Sequence, residues 1–115
     1  MGEVTDYVEA LEEPARSLVG RLIARAGELV PEHGEGMSYG MPALRYRGRP
    51  LVSIVVTRRG YSLFPFSSTV VAEAAAGQDV ETTKGGIRFT DTRPVPVAVV
   101  DKAVLARKAE IDASF

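Results

Sequence analysis

The acidic residues in the first third of the chain are the ones whose types and spacing best suit metal chemistry. Carboxylate oxygens are hard ligands of the kind that ferrous and ferric ions accept, whereas one histidine and no cysteine exclude a soft-ligand site. Asp6, Glu9 and Glu13 are spaced three and four residues apart, which aligns carboxylates along a helix. The candidate metal ligands are Asp6, Glu9, Glu12, Glu13, Glu32, His33 and Glu35.

The same acids also have a structural interpretation. Carboxylates near a helix N-terminus stabilise the helix dipole, and Pro14 interrupts the face that would align Asp6 with Glu13. His33 lies in a glycine-containing loop, where few fixed groups are available to orient a metal ligand. A weak, exposed metal site and a solvated acidic surface are therefore both open interpretations.

Arginines and aromatic residues in the middle of the chain form a second candidate site. Arg45, Arg47 and Arg49 alternate with smaller or apolar residues, so one extended strand would place the three guanidinium groups on one face. Guanidinium groups bind oxyanions in bidentate fashion, although a solvated outer face explains the pattern equally well. The candidate ligand-binding residues are Tyr39, Met41, Arg45, Arg47, Phe64, Lys84 and Arg88.

Nucleophilic catalysis has little support in this sequence. His33 is the one histidine that could act as a general base for a serine, and no nucleophile motif surrounds it. Lys84 precedes two glycines, but the full phosphate-loop pattern is missing and a turn explains the segment better. A weak enzyme would need Tyr39, Lys84 and Arg88 to converge in one pocket.

Helices at both ends of the chain would have to position these residues. An apolar stripe at helical spacing predicts a helix from Pro14 to Pro31, and Asp6 with Glu9 favours a short helix through Leu11. The C-terminal helix is predicted from Val97 to Asp112. It turns Val100, Val104 and Ile111 inward.

Between the helices, Gly and Pro break the chain from Gly36 onward into short segments typical of an antiparallel meander. Tyr39, Leu44 and Tyr46 supply strand formers, as do Val52, Ile54, Val55 and Val56. Arg58, Arg59 and Gly60 predict a tight hairpin turn between strands at Leu51 to Thr57 and Tyr61 to Phe64. Ser67, Ser68 and Thr69 can cap a short helix through Ala76, and a last strand runs from Gly86 to Phe89.

A length of 115 residues indicates one domain over residues 1–115, and the predicted helices and meander make its fold class α+β. With 45% apolar residues and no cysteine, the chain folds without disulfides and suits a reducing, cytoplasmic compartment.

Its longest apolar stretch, Leu51 to Val56, is too short for a bilayer, and we expect no membrane role. A net charge of −1 argues against nucleic acid as a partner, and we expect a monomer or a homodimer. Acidic residues are concentrated in the first third of the sequence and arginines in the middle, so we expect one acidic and one basic side on the folded protein.

Three segments carry a resemblance to a known family: Ser38-Tyr39-Gly40-Met41-Pro42-Ala43, Gly48-Arg49-Pro50-Leu51 and Thr83-Lys84-Gly85-Gly86-Ile87-Arg88-Phe89. Together with a Pro-led terminal helix they resemble the YdhG-like domain family, a family of unknown function, from the first helix to about Glu110. The resemblance implies a compact α+β fold. Because some members are described as frataxin-like iron chaperones, it also implies weakly bound iron and an iron-accepting partner protein.

Two function hypotheses follow. The first is a non-enzymatic intracellular binding protein that carries iron on its surface carboxylates. The second is a module that binds an anionic small molecule or a protein through the Arg/Tyr-rich sheet face and a cleft near Tyr39, Met41, Phe64 and Lys84.

Overall fold

The computed structural model describes residues 2–115, which form four helices and one six-stranded sheet. The helices are α1 (Glu3–Glu9), α2 (Ala15–Leu29), α3 (Ser68–Ala75) and α4 (Val97–Ala113). The strands are β1 (Gly34–Ser38), β2 (Met41–Tyr46), β3 (Arg49–Thr57), β4 (Gly60–Phe64), β5 (Glu81–Thr82) and β6 (Ile87–Phe89). No helix in this part of the chain is long and apolar enough to cross a bilayer.

The strands lie in the order β1-β2-β3-β4-β6-β5, and every neighbouring pair is antiparallel. This confirms the predicted α+β fold with an antiparallel meander and an inserted short helix. The two-residue edge strand β5 was not predicted, because a strand of that length leaves no alternating pattern to detect.

The predicted arginine stripe is wrong, because Arg47 and Gly48 form a turn between β2 and β3. Both residues have positive φ, 53° and 76°, which is the geometry of a type I′ hairpin turn. Tyr46 pairs directly with Arg49 across that turn. Arg45 and Arg49 therefore lie on different strands, and Arg47 lies on neither.

A second hairpin turn of the same kind joins β1 to β2 at Tyr39 and Gly40, with φ angles of 53° and 76°. Tyr39 is thus a turn residue, although its side chain favoured a strand. The hairpin predicted at Arg58 and Arg59 is confirmed, and it joins β3 to β4.

The helices agree with their predicted positions, with shifts at their ends. Helix α1 begins before Asp6 and ends before Leu11, while α2 lies between the two prolines that were expected to bound it. Ser67 caps α3, since its hydroxyl accepts a hydrogen bond from the Val70 N–H at 3.2 Å. Gly77 follows the helix with a φ of 74°.

The core is built on a row of apolar residues that crosses three neighbouring strands. Ile54 pairs with Leu63, and Leu63 pairs with Ile87, and all three side chains are buried. Helices α2 and α4 pack on each other and on β3. The inward residues predicted for α4, Val100, Val104 and Ile111, are buried as expected.

Leu63→Ala should lower the free energy of unfolding by about 2–5 kcal/mol, because it leaves a cavity at the centre of this row. Leu105→Ala is the matched control, since Leu105 is 47% exposed on α4 and its truncation should change stability by less than about 0.5 kcal/mol. Urea denaturation of the two variants measures both values. Equal losses would contradict this placement of the core.

Candidate functional site

An open pocket of about 440 Å³ lies among the β1–β2 turn, the end of β4, the start of α3 and the loop that joins β5 to β6. Four large apolar side chains line it, and Lys84 supplies the one charged group. The lining residues are Tyr39, Met41, Phe64, Phe66, Ser67, Ser68, Lys84 and Gly85. The cleft predicted near Tyr39, Met41, Phe64 and Lys84 is therefore present, and we refer to it as the aromatic pocket.

Two aromatic rings stack at the aromatic pocket. The Tyr39 and Phe66 rings have their centroids 5.7 Å apart and their planes 24° apart, and Tyr39 is 84% exposed. Both residues have positive φ, 53° and 59°. The left-handed conformation is expected in a type I′ turn, but it is strained for a bulky residue such as Phe66. Such strain is typical of functional positions.

The Phe64 ring owes its position to a glycine. A β-carbon on Gly86 would lie 2.8 Å from the Phe64 Cε1 atom, so the ring lies directly against that backbone. Gly86 also accepts a hydrogen bond from the Thr83 N–H at 2.8 Å, which closes the loop that carries Lys84. The exposed Lys84 ammonium has no hydrogen-bond or ion-pair partner among residues 2–115, and it is available to a ligand.

The polar side of the aromatic pocket is anchored by helix α4. The Ser67 hydroxyl donates to Glu110 at 2.8 Å, and Glu110 also binds the Arg107 guanidinium at 3.1 Å. Arg107 in turn donates to the Pro50 carbonyl oxygen at 2.9 Å. This series of hydrogen bonds holds the start of α3 to α4 and β3. The Ser67 hydroxyl therefore has a structural role.

The arginines expected on the sheet face lie outside the aromatic pocket and serve the fold. Arg45 donates to the Ser38 hydroxyl at 2.7 Å and to the backbone carbonyls of Met37 and Gly48. Arg47 binds Asp112 at 3.1 Å, and its guanidinium lies 4.0 Å from the centre of the Phe115 ring. These contacts leave Arg45 and Arg47 little capacity for a ligand.

Arg88 lies in a second, polar groove and pairs with Glu81 at 3.2 Å. Tyr39, Lys84 and Arg88 therefore do not converge in one pocket, which was the condition for the weak-enzyme hypothesis. Ion pairs such as Arg25 with Asp101 and Arg47 with Asp112 also join opposite charges across the fold. The predicted separation into an acidic and a basic side is incomplete for this reason.

The predicted metal ligands do not assemble. Among residues 2–115 no group of three or more His, Asp or Glu side chains is placed to hold a metal ion. Asp6 and Glu9 lie on α1, exposed Glu12 and Glu32 lie in loops, and His33 hydrogen-bonds the Val30 carbonyl oxygen at 2.7 Å. Their role in iron binding stays a prediction.

Two of these acids cap helices. Glu13 accepts hydrogen bonds from the Ser17 hydroxyl at 2.9 Å and the Ser17 N–H at 3.0 Å, and these bonds lower the Glu13 pKa. Glu35 accepts from the Thr5 N–H and the Thr5 hydroxyl, both at 2.7 Å. Burial pushes the Glu35 pKa upward, but the bonds from Thr5 and Val4 and the charge of His33 outweigh burial and lower the pKa.

Sequence reasoning missed Phe66, Ser67, Ser68 and Gly85 as pocket residues. The usable signal for Phe66 was its position directly before the helix cap Ser67, where an apolar residue often packs on the first helical turn. Ser68 gave no comparable signal, since a serine in the first turn of a helix is ordinary.

A solved structure shares this fold. It is the crystal structure of a protein of the DUF1801 family, YdhG, from Bacillus subtilis, and it aligns with a TM-score of 0.78 over 94% of this chain and 90% of that chain. The chain has the YdhG fold. Sequence identity to that protein is 15%, so the likeness concerns the fold. No family model and no curated protein matches the sequence.

The structural match confirms the YdhG-like fold that the three sequence motifs predicted. Those motifs include the first hairpin turn, at Tyr39 and Gly40, and the loop beside Phe64, at Lys84 and Gly85. With Met41 they supply four of the eight residues that line the aromatic pocket. The likeness extends to the architecture that carries the pocket, and DUF1801 is itself a family without an assigned function.

Glu35→Gln should lower stability at pH 7 by about 1 kcal/mol, because it weakens the hydrogen bonds that hold α1 to β1. Since folding lowers the pKa of Glu35 from 4.5, its contribution is present above that value and is lost as the pH falls through the folded pKa. The melting temperatures of the two proteins should therefore converge as the pH falls from 4.5 through the folded pKa of Glu35.

Glu32→Gln is the matched control, because Glu32 is exposed and lies three residues before Glu35, in the turn that precedes β1. It should leave the melting temperature unchanged at pH 7 and throughout the acid titration. A loss of stability in Glu32→Gln equal to that in Glu35→Gln would contradict the capping role of Glu35.

Proposed function

We propose that this protein binds a small aromatic or flat apolar anion in the aromatic pocket. The observation that carries the proposal is the convergence of four large apolar side chains, Tyr39, Met41, Phe64 and Phe66, with the exposed Lys84 around one opening. Ligand pockets of this kind are mostly apolar with a few polar groups that fix orientation, and they measure roughly 300–1,000 Å³.

The chemistry of the lining supports each part of the ligand. Stacked aromatic rings offer faces on which a flat group can pack, and the Met41 thioether adapts to an irregular shape. Lys84 and the Ser68 hydroxyl supply donors for a carboxylate or another oxyanion. The Ser67 hydroxyl already donates to Glu110, so it positions the wall of the pocket and does not contact the ligand as a donor.

Exposure of the rings also supports a binding role. Burying Tyr39, which is 84% exposed, would remove a large apolar surface from water and would contribute favourably to binding. The strained Phe66 backbone holds its ring against Tyr39 before any ligand arrives, which reduces the ordering cost of binding.

The proposal can be tested with 4-hydroxybenzoate, indole-3-acetate and uncharged indole as probes, followed by ¹⁵N chemical shifts. Wild-type protein should bind the two anions, with the largest shifts at Ser68, Lys84 and Gly85. Phe66→Ala should weaken binding at least about tenfold, because it removes the stacked ring. Lys84→Gln should bring the affinity for the anions close to that for indole.

Lys102→Gln is the matched control, because it removes an exposed lysine ammonium from α4, away from the pocket lining. It should bind the anions as the wild type does. Absence of shifts at the pocket with all three probes would contradict the proposal. Binding unchanged in both Phe66→Ala and Lys84→Gln would contradict it as well.

The iron-carrier hypothesis is a separate proposal, supported by the resemblance to YdhG-like domains and by the abundance of N-terminal carboxylates. A carrier must release its cargo, so exposed carboxylates with incomplete coordination suit delivery to an acceptor protein. Anaerobic calorimetry with ferrous iron should detect weak binding that falls when Glu9 and Glu12 are changed to Gln. No heat of binding, or heat unaffected by these changes, would contradict it.

A further inference from the structure

A polar groove with a volume of about 910 Å³ lies between the β3–β4 turn and the segment from Thr90 to Pro96. Four arginines line it: Arg58, Arg59, Arg88 and Arg93. Two acids, Asp79 and Glu81, line it as well, so the cations are in excess. We call it the arginine groove. It shares no lining residue with the aromatic pocket.

Two of the arginines are not used by the fold. The side chains of Arg58 and Arg59 are exposed and have no hydrogen-bond or ion-pair partner among residues 2–115. Hairpin turns favour Asn, Asp and Gly, so turn formation does not require two adjacent arginines at this position. Two adjacent guanidinium charges also create a local positive potential that attracts an anion.

The other two arginines are held by bonds that an anion can replace. Arg88 pairs with Glu81 at 3.2 Å and Arg93 pairs with Asp79 at 2.8 Å. All four of these side chains are more than half exposed, and exposed ion pairs contribute little to stability. The guanidinium groups of Arg88 and Arg93 can therefore turn toward a ligand with little loss of folding free energy.

The frame of the groove is ordered. The Thr90 N–H donates to the Arg93 carbonyl oxygen and the Thr90 hydroxyl accepts from the Arg93 N–H, both at 3.1 Å, which fixes the Arg93 backbone. Tyr61 lies at the base, 4% exposed, and donates to Asp91 at 2.6 Å. Burial and this hydrogen bond raise the pKa of Tyr61 to about 12.

We infer that the arginine groove binds a small molecule that carries a phosphate or pyrophosphate group. Guanidinium groups match phosphate oxygens in bidentate geometry, and those of Arg58 and Arg59 have no competing partner within residues 2–115. The volume of the groove lies within the range of small-molecule sites. The anion-binding role thus belongs to the arginines of this groove, whereas Arg45 and Arg47 hydrogen-bond other parts of the fold.

The test is calorimetry with inorganic phosphate, pyrophosphate, ATP and a poly-glutamate peptide as probes. Pyrophosphate and ATP should bind more tightly than phosphate, because they engage more guanidinium groups. Equal affinity for pyrophosphate and ATP would show that the phosphates are the recognised part, and tighter ATP binding would add recognition of the nucleoside. Arg58→Gln/Arg59→Gln should weaken pyrophosphate binding by at least about tenfold.

The matched control is Arg21→Gln/Lys102→Gln, which removes the same charge from two exposed residues on α2 and α4. It should bind pyrophosphate as the wild type does. The inference is overturned if no phosphate probe binds, if the control loses as much affinity as Arg58→Gln/Arg59→Gln, or if the peptide alone binds, since the last result would assign the groove to an acidic protein. Melting temperatures of both variants should equal that of the wild type, which separates lost binding from lost folding.

Discussion

The packing of helix α4 on strand β3 is the interaction on which the rest of this structure depends. Val100 and Val104 are fully buried in the core, and the polar side chains of the helix complete the contact. Asp101 binds Arg25 of α2 through two hydrogen bonds of 2.9 and 2.8 Å, and Arg107 binds the backbone of β3. Apolar burial supplies most of the stabilisation, while these directional bonds fix one arrangement of the helix.

The aromatic pocket inherits its shape from this helix. Glu110 of α4 holds Ser67, Ser67 caps α3, and the residue directly before the cap is the strained Phe66 that stacks on Tyr39. The hydrogen bond between Ser67 and Glu110, which are 43 positions apart, thus helps to fix the position of the Phe66 ring at the pocket. The same constraint explains why Ser67 is a structural residue although it lines the pocket.

The arginines divide into two classes according to what surrounds them. Arg45 donates to a hydroxyl and to backbone carbonyls, so it joins β2 to β1 and to the β2–β3 turn. Arg47 and Arg49 contact a carboxylate, a hydroxyl and the Phe115 ring, so they join that turn and β3 to the last residues of the chain. Arg58 and Arg59 meet none of these groups within residues 2–115. Residue type alone does not separate the two classes, because the difference lies in the neighbours that folding brings to each side chain.

The amino-acid sequence by itself determined the elements whose signals are local: the apolar stripe of α2, the Ser67 cap of α3, the hairpin at Arg58 and Arg59, and the inward residues of α4. Its motifs also indicated the YdhG fold and four of the eight residues that line the aromatic pocket. Tertiary structure alone decided that Arg47 and Tyr39 are turn residues, that Glu35 caps a helix 30 residues away, and that the acids stay apart. The physical reason is that alternation and spacing describe neighbours along the chain, whereas strand register and helix docking choose the neighbours in space that give each charge its role.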